Sequence, residues 1–282
     1  MMLRRALPHL GIFAALLALW ELAVLTGLID SIMVPSPSEI ITSMLKLYIT
    51  EGTIWRHFFV TLAESVLGFA IGAGIAISLA VGSALWDPFR RYVAPYAIVL
   101  NVTPGIALTP VIIAWFGYGM GSKIALAAII SFFPIFVNTL TGLTQPQNER
   151  EELFRQLGGT KAQIFFRLRV PTALPLMFAG LKIGLTTALI GAVVAEFAQA
   201  TEGVGVLMSR FSFQLDMGSS IATLLSMTII GLLLFYSMEF LDDRIVFWRR
   251  EARREAASRA RAKAWKARRG TIAAKTPGRK SI

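Results

Sequence analysis

EREELFRQLGGTKAQIFFRLRVP, residues 149–171, is a polar and strongly basic stretch that lies between two long apolar runs. Apolar residues recur at helical spacing on each side of the pair Gly158-Gly159, which predicts two short helices joined by a turn. Thr160 is expected to begin the second helix, because Gln163 three residues later completes a capping box. Pro171 is expected to end that helix. A compact helical hairpin in this position is typical of a docking surface for a soluble protein.

The rest of the chain indicates an all-α integral membrane protein. Of its 282 residues, 55% are hydrophobic, and they form runs long enough to cross a hydrocarbon core of about 30 Å. The first apolar run could instead be a signal peptide. Its length and the lack of a nearby cleavage site favour an uncleaved membrane span. Six membrane-spanning helices are predicted, at residues 10–29, 58–85, 93–116, 123–143, 174–197 and 221–240.

Basic residues are distributed unevenly between the two sides of this arrangement. The segments 1–9, 86–92, 144–173 and 243–282 contain 23 Lys and Arg, whereas the connections on the other side contain four. By the positive-inside rule, the 149–171 loop and both chain termini are predicted to be cytoplasmic. Half of all Lys and Arg follow Asp242, so the net charge of +11 does not indicate a nucleic-acid-binding protein.

Three regions are expected along the chain. Residues 1–57 hold the first span and an amphipathic helix that begins at Ser36, with Pro37 at its first position and Glu39 completing a capping box. That helix either lies on the membrane surface or packs on the other spans. Residues 58–248 form the transmembrane core. Residues 249–282 form a basic cytoplasmic tail, which either binds anionic lipid headgroups or holds the C-terminus inside.

The 149–171 loop resembles the signature loop of ABC importer permease subunits. That pattern reads Glu-Ala-Ala, three residues, Gly, nine residues, Ile, one residue, Leu-Pro, and its spacing matches throughout. The Glu, Gly and Pro are kept, whereas larger or similar apolar residues replace the two alanines, the Ile and the Leu. In the family this loop is the coupling helix that contacts the ATP-binding subunit. The residues expected to form it here are Glu152, Leu153, Phe154, Gly158, Gly159, Leu168 and Pro171.

Other stretches look more narrowly like the nitrate, sulfonate and taurine branch of these permeases, which also includes importers of pyrimidine precursors. They are residues 35–38 (PSPS), 61–68 (TLAESVLG), 107–117 (ALTPVIIAWFG) and 194–197 (VAEF). The resemblance covers nearly all of the chain before the basic tail.

The resemblance implies a homodimer of this chain, two copies of an ABC ATP-binding subunit, and an extracytoplasmic substrate-binding protein. The assembly would lie in the bacterial cytoplasmic (inner) membrane and import a small nitrate-, sulfonate- or taurine-like anion or a related compound. ATP and Mg would be bound and ATP hydrolysed on the partner subunit, because the phosphate-loop pattern G-x-x-x-x-G-K-[ST] occurs nowhere in this chain. No catalytic residue, metal or cofactor is expected on the chain itself.

Polar residues and prolines within the predicted spans are candidates for the translocation path. Prolines free backbone carbonyls, which then need protein or a wet cavity around them. The alternative for the third span is a kinked helix that only packs, and Lys182 is close enough to the cytoplasmic end of its span to reach the interface. The candidate path residues are Asn101, Thr103, Pro104, Pro110, Asn138, Thr186, Thr187 and Glu196.

Two other classes of protein are alternatives. An ATP-independent carrier or channel would not need the 149–171 loop. An integral-membrane enzyme would need clustered acid–base or metal-binding residues at one membrane face. The acids at membrane depth or its edge show no such spacing, and no nucleophile–histidine set accompanies them. The transported solute is not determined by these residues.

Overall fold

The computed structural model describes residues 2–145, 148–198 and 201–248, and within these ranges every regular element is a helix. The predicted tail at residues 249–282 lies outside the described residues. The helices are α1 (Met2–Leu25), α2 (Pro37–Leu45), α3 (Thr53–Leu85), α4 (Asp87–Val102), α5 (Gly105–Phe116), α6 (Met120–Thr144), α7 (Asn148–Gln156), α8 (Lys161–Ile164), α9 (Val170–Phe197), α10 (Val204–Phe213) and α11 (Met217–Ile245). Two π-helical turns, Lys46–Thr50 and Phe165–Arg169, follow α2 and α8.

Helix α6 lies at the centre and packs between α3 and α9. Small residues make both contacts close. A side chain at Gly68 or Gly72 of α3 would collide with the backbone of α6, and one at Gly191 of α9 would lie 2.8 Å from Ala127 Cα. The Gly68-x-x-x-Gly72 pattern therefore serves helix packing, as glycines at this spacing do in membranes.

Four helices are long and apolar enough to cross a membrane: Thr53–Leu85, Met120–Thr144, Lys161–Phe197 and Met217–Ile245. Pairing α4 with α5 gives a fifth. The expected six spans are thus not confirmed within the described residues. The first predicted span is shorter than expected, because α1 ends at Leu25 and the chain turns at Gly27, where φ is +73°.

The predicted third span, residues 93–116, is broken rather than continuous. Helices α4 and α5 meet at a bend of 100°. Thr103 is extended there, with φ −70° and ψ 121°, because a residue that precedes proline disfavours the helical region. The amide and the hydroxyl of Thr103 both donate to Val99 O, at 3.1 and 2.8 Å, so the end of α4 is capped by the residue that breaks it.

Helix α2 begins at Ser36 as predicted, with Ser36 Oγ accepting a hydrogen bond from Glu39 N at 3.2 Å, but the return bond of the expected capping box, from Ser36 N to the Glu39 side chain, is not among the hydrogen bonds of the described residues. Of the two alternatives for this segment, the structure shows a helix packed on the others. Leu47 is fully buried, and Tyr48 donates from its hydroxyl to Ser226 of α11 at 2.9 Å. Glu21 of α1 accepts from both the amide and the hydroxyl of Ser38, which joins α1 to the start of α2.

Candidate functional site

The turn between α7 and α8 is a Schellman motif built on two glycines. Gly158 N donates to Arg155 O at 3.0 Å, and Gly159 N donates to Phe154 O at 2.8 Å. These are the two bonds that define the motif. Gly158 has φ +80° with open space around it, so the backbone angle requires glycine there. Gly159 needs to be small because an added Cβ would lie 2.7 Å from Phe154 O.

The second helix begins with the predicted capping box. Gln163 N donates to Thr160 Oγ1 at 3.3 Å, and Thr160 N donates to Gln163 Oε1 at 2.8 Å. The expected end at Pro171 is wrong. The chain stays helical from α8 through the π-turn Phe165–Arg169 into α9, where Pro171 lies in the first turn. Pro171 has no N–H with which to continue the helical bonding, and it lies directly after the π-turn, whose closing bond runs from Val170 N to Phe165 O.

An ion pair ties α7 to the π-turn. Arg169 donates from Nε and from Nη2 to the two carboxylate oxygens of Glu151, at 2.7 and 3.1 Å. These hydrogen bonds lower the pKa of the Glu151 carboxyl below its ordinary value, against a smaller opposing effect of burial. We use the name loop unit for residues 148–169, from α7 to the end of the π-turn. The loop unit is a braced structure joined without interruption to α9.

The loop unit carries exposed apolar side chains on its surface. Leu153 is 55% exposed, Leu157 78% and Phe166 69%. Among the other predicted loop residues, Glu152 is exposed and Phe154 is half-buried. Leu168 is buried in the interior, and Pro171 is half-buried. Exposed large apolar residues beside charged ones are typical of a surface that another protein covers.

A cavity of about 660 Å³ lies where α4, the break at Thr103, α5, α6 and α9 meet. Its walls are mostly aliphatic, with amide and hydroxyl groups, and none of the described residues that line it is charged. Five of the predicted path residues lie together here: Asn101, Thr103, Pro104, Asn138 and Thr187.

The other three predicted path residues lie elsewhere. Pro110 lines a neighbouring cavity of about 550 Å³ together with Tyr118 and Phe197. Thr186 is not among the lining residues, and its hydroxyl donates to Ile183 O of its own helix at 2.8 Å. Glu196 is buried under the start of α10 and lines neither cavity. Lys182 does not reach the cavity either, since it pairs with Asp242 of α11 at 2.8 Å.

A second polar cluster, which the sequence reasoning did not assemble, lies at the end of α9 farthest from the loop unit. Lys123 of α6 pairs with Glu64 of α3 at 2.7 Å, and both side chains are buried. Thr61 of α3 donates to Glu196 of α9 at 2.5 Å. Glu64 and Glu196 lie in residues 61–68 and 194–197, two of the stretches that resemble the nitrate, sulfonate and taurine branch. That resemblance is the one indication of this cluster in the sequence. Their partners lie 59 and 135 residues away in sequence, beyond any local pattern.

Comparison with known proteins agrees with this architecture. Residues 72–247 match the family described as binding-protein-dependent transport system inner membrane component. The formylaminopyrimidine transport permease protein ThiX of Halalkalibacterium halodurans is 34% identical over 248 residues, which cover 88% of this chain and 98% of ThiX. The taurine transport system permease protein TauC of Escherichia coli is 28% identical, over 88% of this chain and 92% of TauC.

A solved structure supports the fold. One chain of the inward-facing MetNI methionine ABC transporter superimposes with a TM-score of 0.57, at 21% identity, over 70% of this chain and 97% of that chain. At that identity the likeness concerns the fold alone. The family match and the ThiX relationship go further: the chain belongs to the binding-protein-dependent transport system inner membrane components and is a multi-pass permease subunit of the ABC importer type.

Proposed function

We propose that this chain forms the translocation path of an importer whose ATP hydrolysis takes place on a separate ABC subunit. The observation that carries the proposal is the continuity between the loop unit and α9. The loop unit is braced by the Glu151–Arg169 pair and runs into the helix that forms one wall of the 660 Å³ cavity. A rigid connection of this kind transmits a displacement, whereas a flexible loop would absorb it.

In the proposed assembly, two copies of the chain pair with each other and with two ATP-binding subunits in the bacterial inner membrane. The loop units and both termini face the cytoplasm, in line with the 23 basic residues on that side. ATP and Mg are bound by the ATPase subunits. The coupling residues are Glu152, Leu153, Phe154, Gly158, Gly159, Leu168 and Pro171, with Glu151 and Arg169 added from the structure.

The solute in this proposal is a small molecule brought by an extracytoplasmic binding protein. The relatives' names span a formylaminopyrimidine and taurine, so a sulfonate-like anion and a pyrimidine are both within the range. The cavity lining supports a path that holds its solute weakly, because its described residues offer the polar side chains of Asn101, Thr103, Asn138 and Thr187 and no charged one. Selectivity then rests on the binding protein.

The test is affinity purification of the tagged chain from gently solubilised native membranes, together with an uptake assay. Wild-type chain is expected to bring an ATPase subunit with it. Gly158→Asp places a side chain at φ +80° in the turn and is expected to abolish uptake while the protein remains in the membrane. Gly119→Asp is the matched control, because φ there is −81° and no atom lies within 4 Å of an added Cβ.

Recovery of the chain alone from the wild type, with uptake unaffected by loss of any ATPase, would contradict the proposal. It would favour a carrier that needs no ATP. Wild-type uptake by Gly158→Asp would remove the loop unit from the mechanism.

A further inference from the structure

The start of α10 is held by side chains that come from other helices. The first N–H groups of a helix have no partner within it. Here the backbone N–H groups of residues 203, 204 and 205 donate to His57 Nδ1, Thr61 Oγ1 and Glu196 Oε2, at 3.0, 2.8 and 2.7 Å. Three consecutive donors are therefore satisfied from α3 and α9, and none of them depends on solvent.

Helix α6 contacts the same turn through the backbone carbonyl of Glu202. Lys123 Nζ of α6 donates to Glu202 O at 2.6 Å while it pairs with Glu64 at 2.7 Å. Helices α3, α6 and α9 thus each bind one short segment, residues 202–205. Glu196 is 1% exposed, and its carboxyl group lies at the start of α10, where Oε2 accepts from Gly205 N.

Two glycines make this contact direct. At Gly203, where φ is +129°, an added Cβ would fall on the carboxyl group of Glu196. At Gly205 it would lie 2.8 Å from Glu196 Oε2. Because no side chain separates the carboxylate from the backbone, a movement of Glu196 moves the start of α10 with it.

Glu196 also stands at one end of a long helical segment. The chain is helical over 37 residues from Lys161 to Phe197, a length of about 55 Å at 1.5 Å per residue. The loop unit is at one end of this segment and Glu196 is at the other. Between them α9 packs closely on α6 along Gly180, Gly184 and Gly191, so the segment is supported along its length.

We propose that Glu196 is a positioning residue that fastens α10 to the far end of α9, so that α10 follows the displacement of the loop unit. In this arrangement the state of the ATPase reaches the opposite face of the membrane through one helix and one carboxylate. This inference rests on the function proposed above, and it adds α10 as the element on the opposite side of the membrane that moves with the loop unit.

The test uses single labels, which the chain permits because it contains no cysteine. A spin label is placed at Arg210→Cys on α10 or at Lys161→Cys at the start of α8, both exposed positions. The tagged chain is reconstituted in nanodiscs with its co-purified ATPase subunit, and spectra are recorded before and after Mg-ATP with vanadate. In the wild type both labels are expected to respond.

In Glu196→Ala, which removes the acceptor of the Gly205 N–H, the label at 161 is expected to respond as in the wild type, while the response at 210 is lost. The matched control is Glu202→Ala. It removes a carboxylate from the same turn that pairs with Arg56 on the surface, but leaves the carbonyl bound by Lys123 and the three N–H contacts in place. This control should respond at both positions.

A wild-type response at 210 in Glu196→Ala would overturn the inference. No response at 161 in the wild type would overturn the proposed function instead, so the two failures are distinguishable. Should Glu196→Ala not accumulate in membranes, Gly205→Ala is read in the same way, because its Cβ would lie 2.8 Å from Glu196 Oε2 and would displace the carboxyl group from the start of α10.

Discussion

Two ion pairs of this chain lie in contrasting surroundings. The Glu151–Arg169 pair braces the loop unit with its Arg side chain 32% exposed, whereas the Lys123–Glu64 pair is at most 5% exposed. A partly exposed pair contributes modestly to stability and is screened by salt. A buried pair adds little relative to apolar residues, but removing one partner leaves a charge without compensation. The two pairs therefore predict different responses to single substitutions.

For the loop pair, Glu151→Gln is expected to speed hydrogen exchange in peptides covering residues 148–169 at pH 7, by about two- to fivefold. Arg169 lowers the pKa of Glu151 in the folded chain. The pair's contribution is therefore complete above the unfolded pKa of about 4.3 and is lost as pH falls through the lower folded value. The difference between variant and wild type should shrink over that acidic range.

Glu152→Gln is the control for this prediction, because Glu152 is exposed and makes no hydrogen bond or ion pair in the described part of the chain. Its exchange should match the wild type at every pH. Equal exchange in Glu151→Gln and wild type at pH 7 would mean that the pair does not brace the loop unit.

For the buried pair, Lys123→Met is expected to destabilise the protein by about 3–5 kcal/mol, because Glu64 is left as an uncompensated buried charge. The double variant Glu64→Gln/Lys123→Met should recover a large part of that loss. Thermal unfolding in detergent measures both. Lys46→Met, which breaks an exposed pair with Glu51, should change stability little. A single variant as stable as the double would contradict the prediction.

Local residue patterns predicted the turn in the loop unit, but they did not predict side-chain pairs between residues far apart in sequence. The backbone angle of Gly158 and the Thr160–Gln163 box depend on neighbours within three or four residues, so the sequence was sufficient. The resemblance drew attention to Glu152, yet Glu151 is the residue that bonds Arg169, 18 positions away. Which of two adjacent carboxylates faces the π-turn is set by tertiary packing and not by spacing.

At the scale of elements, the π-turn Phe165–Arg169 sets how the loop unit is oriented on α9. Its closing bond runs from Val170 N to Phe165 O, five residues back instead of four, so the segment holds one residue more than a regular α-helix requires. The extra residue rotates everything before it relative to α9. The turn also explains why the helix continues through Pro171, where the sequence predicted an end.

Deleting Phe166, which is 69% exposed, is expected to convert the π-turn to α-helix and rotate the loop unit by about 100° about the α9 axis. Uptake should be lost while the protein stays in the membrane, because the exposed apolar face then points away from its partner. Phe166→Ala keeps the helical register between the loop unit and α9, so it should reduce uptake far less than the deletion does. Normal uptake by the deletion variant would mean that the orientation of the loop unit is unimportant.

The sequence predicted where most long helices lie but not the bend between α4 and α5. Hydropathy records how much of a run is apolar and carries no information about its direction. The prolines of this run predict freed backbone carbonyls, and in the structure the chain changes direction by 100° at Thr103-Pro104. Five of the predicted path residues line the cavity beside this bend.

At the scale of the whole molecule, orientation can be tested directly. Single cysteines are introduced as Leu157→Cys on the loop unit and Phe213→Cys at the end of α10. The wild-type side chains there are 78% and 87% exposed, and the chain has no native cysteine that would react with the label. A membrane-impermeant maleimide applied to intact spheroplasts should label position 213 and reach position 157 only after permeabilisation. The unmodified chain is the control. The reverse labelling would invert the proposed orientation.

The bend at Thr103-Pro104 has a consequence for the surrounding lipid. Helix α4 has 16 residues and α5 has 12, lengths of about 24 and 18 Å, so neither crosses a hydrocarbon core of about 30 Å alone. If the pair crosses the membrane as one broken span, the break falls at membrane depth, where acyl chains cannot hydrogen-bond an irregular backbone. A lone copy would thin or wet the bilayer beside Pro104, and a second copy facing it would remove that defect.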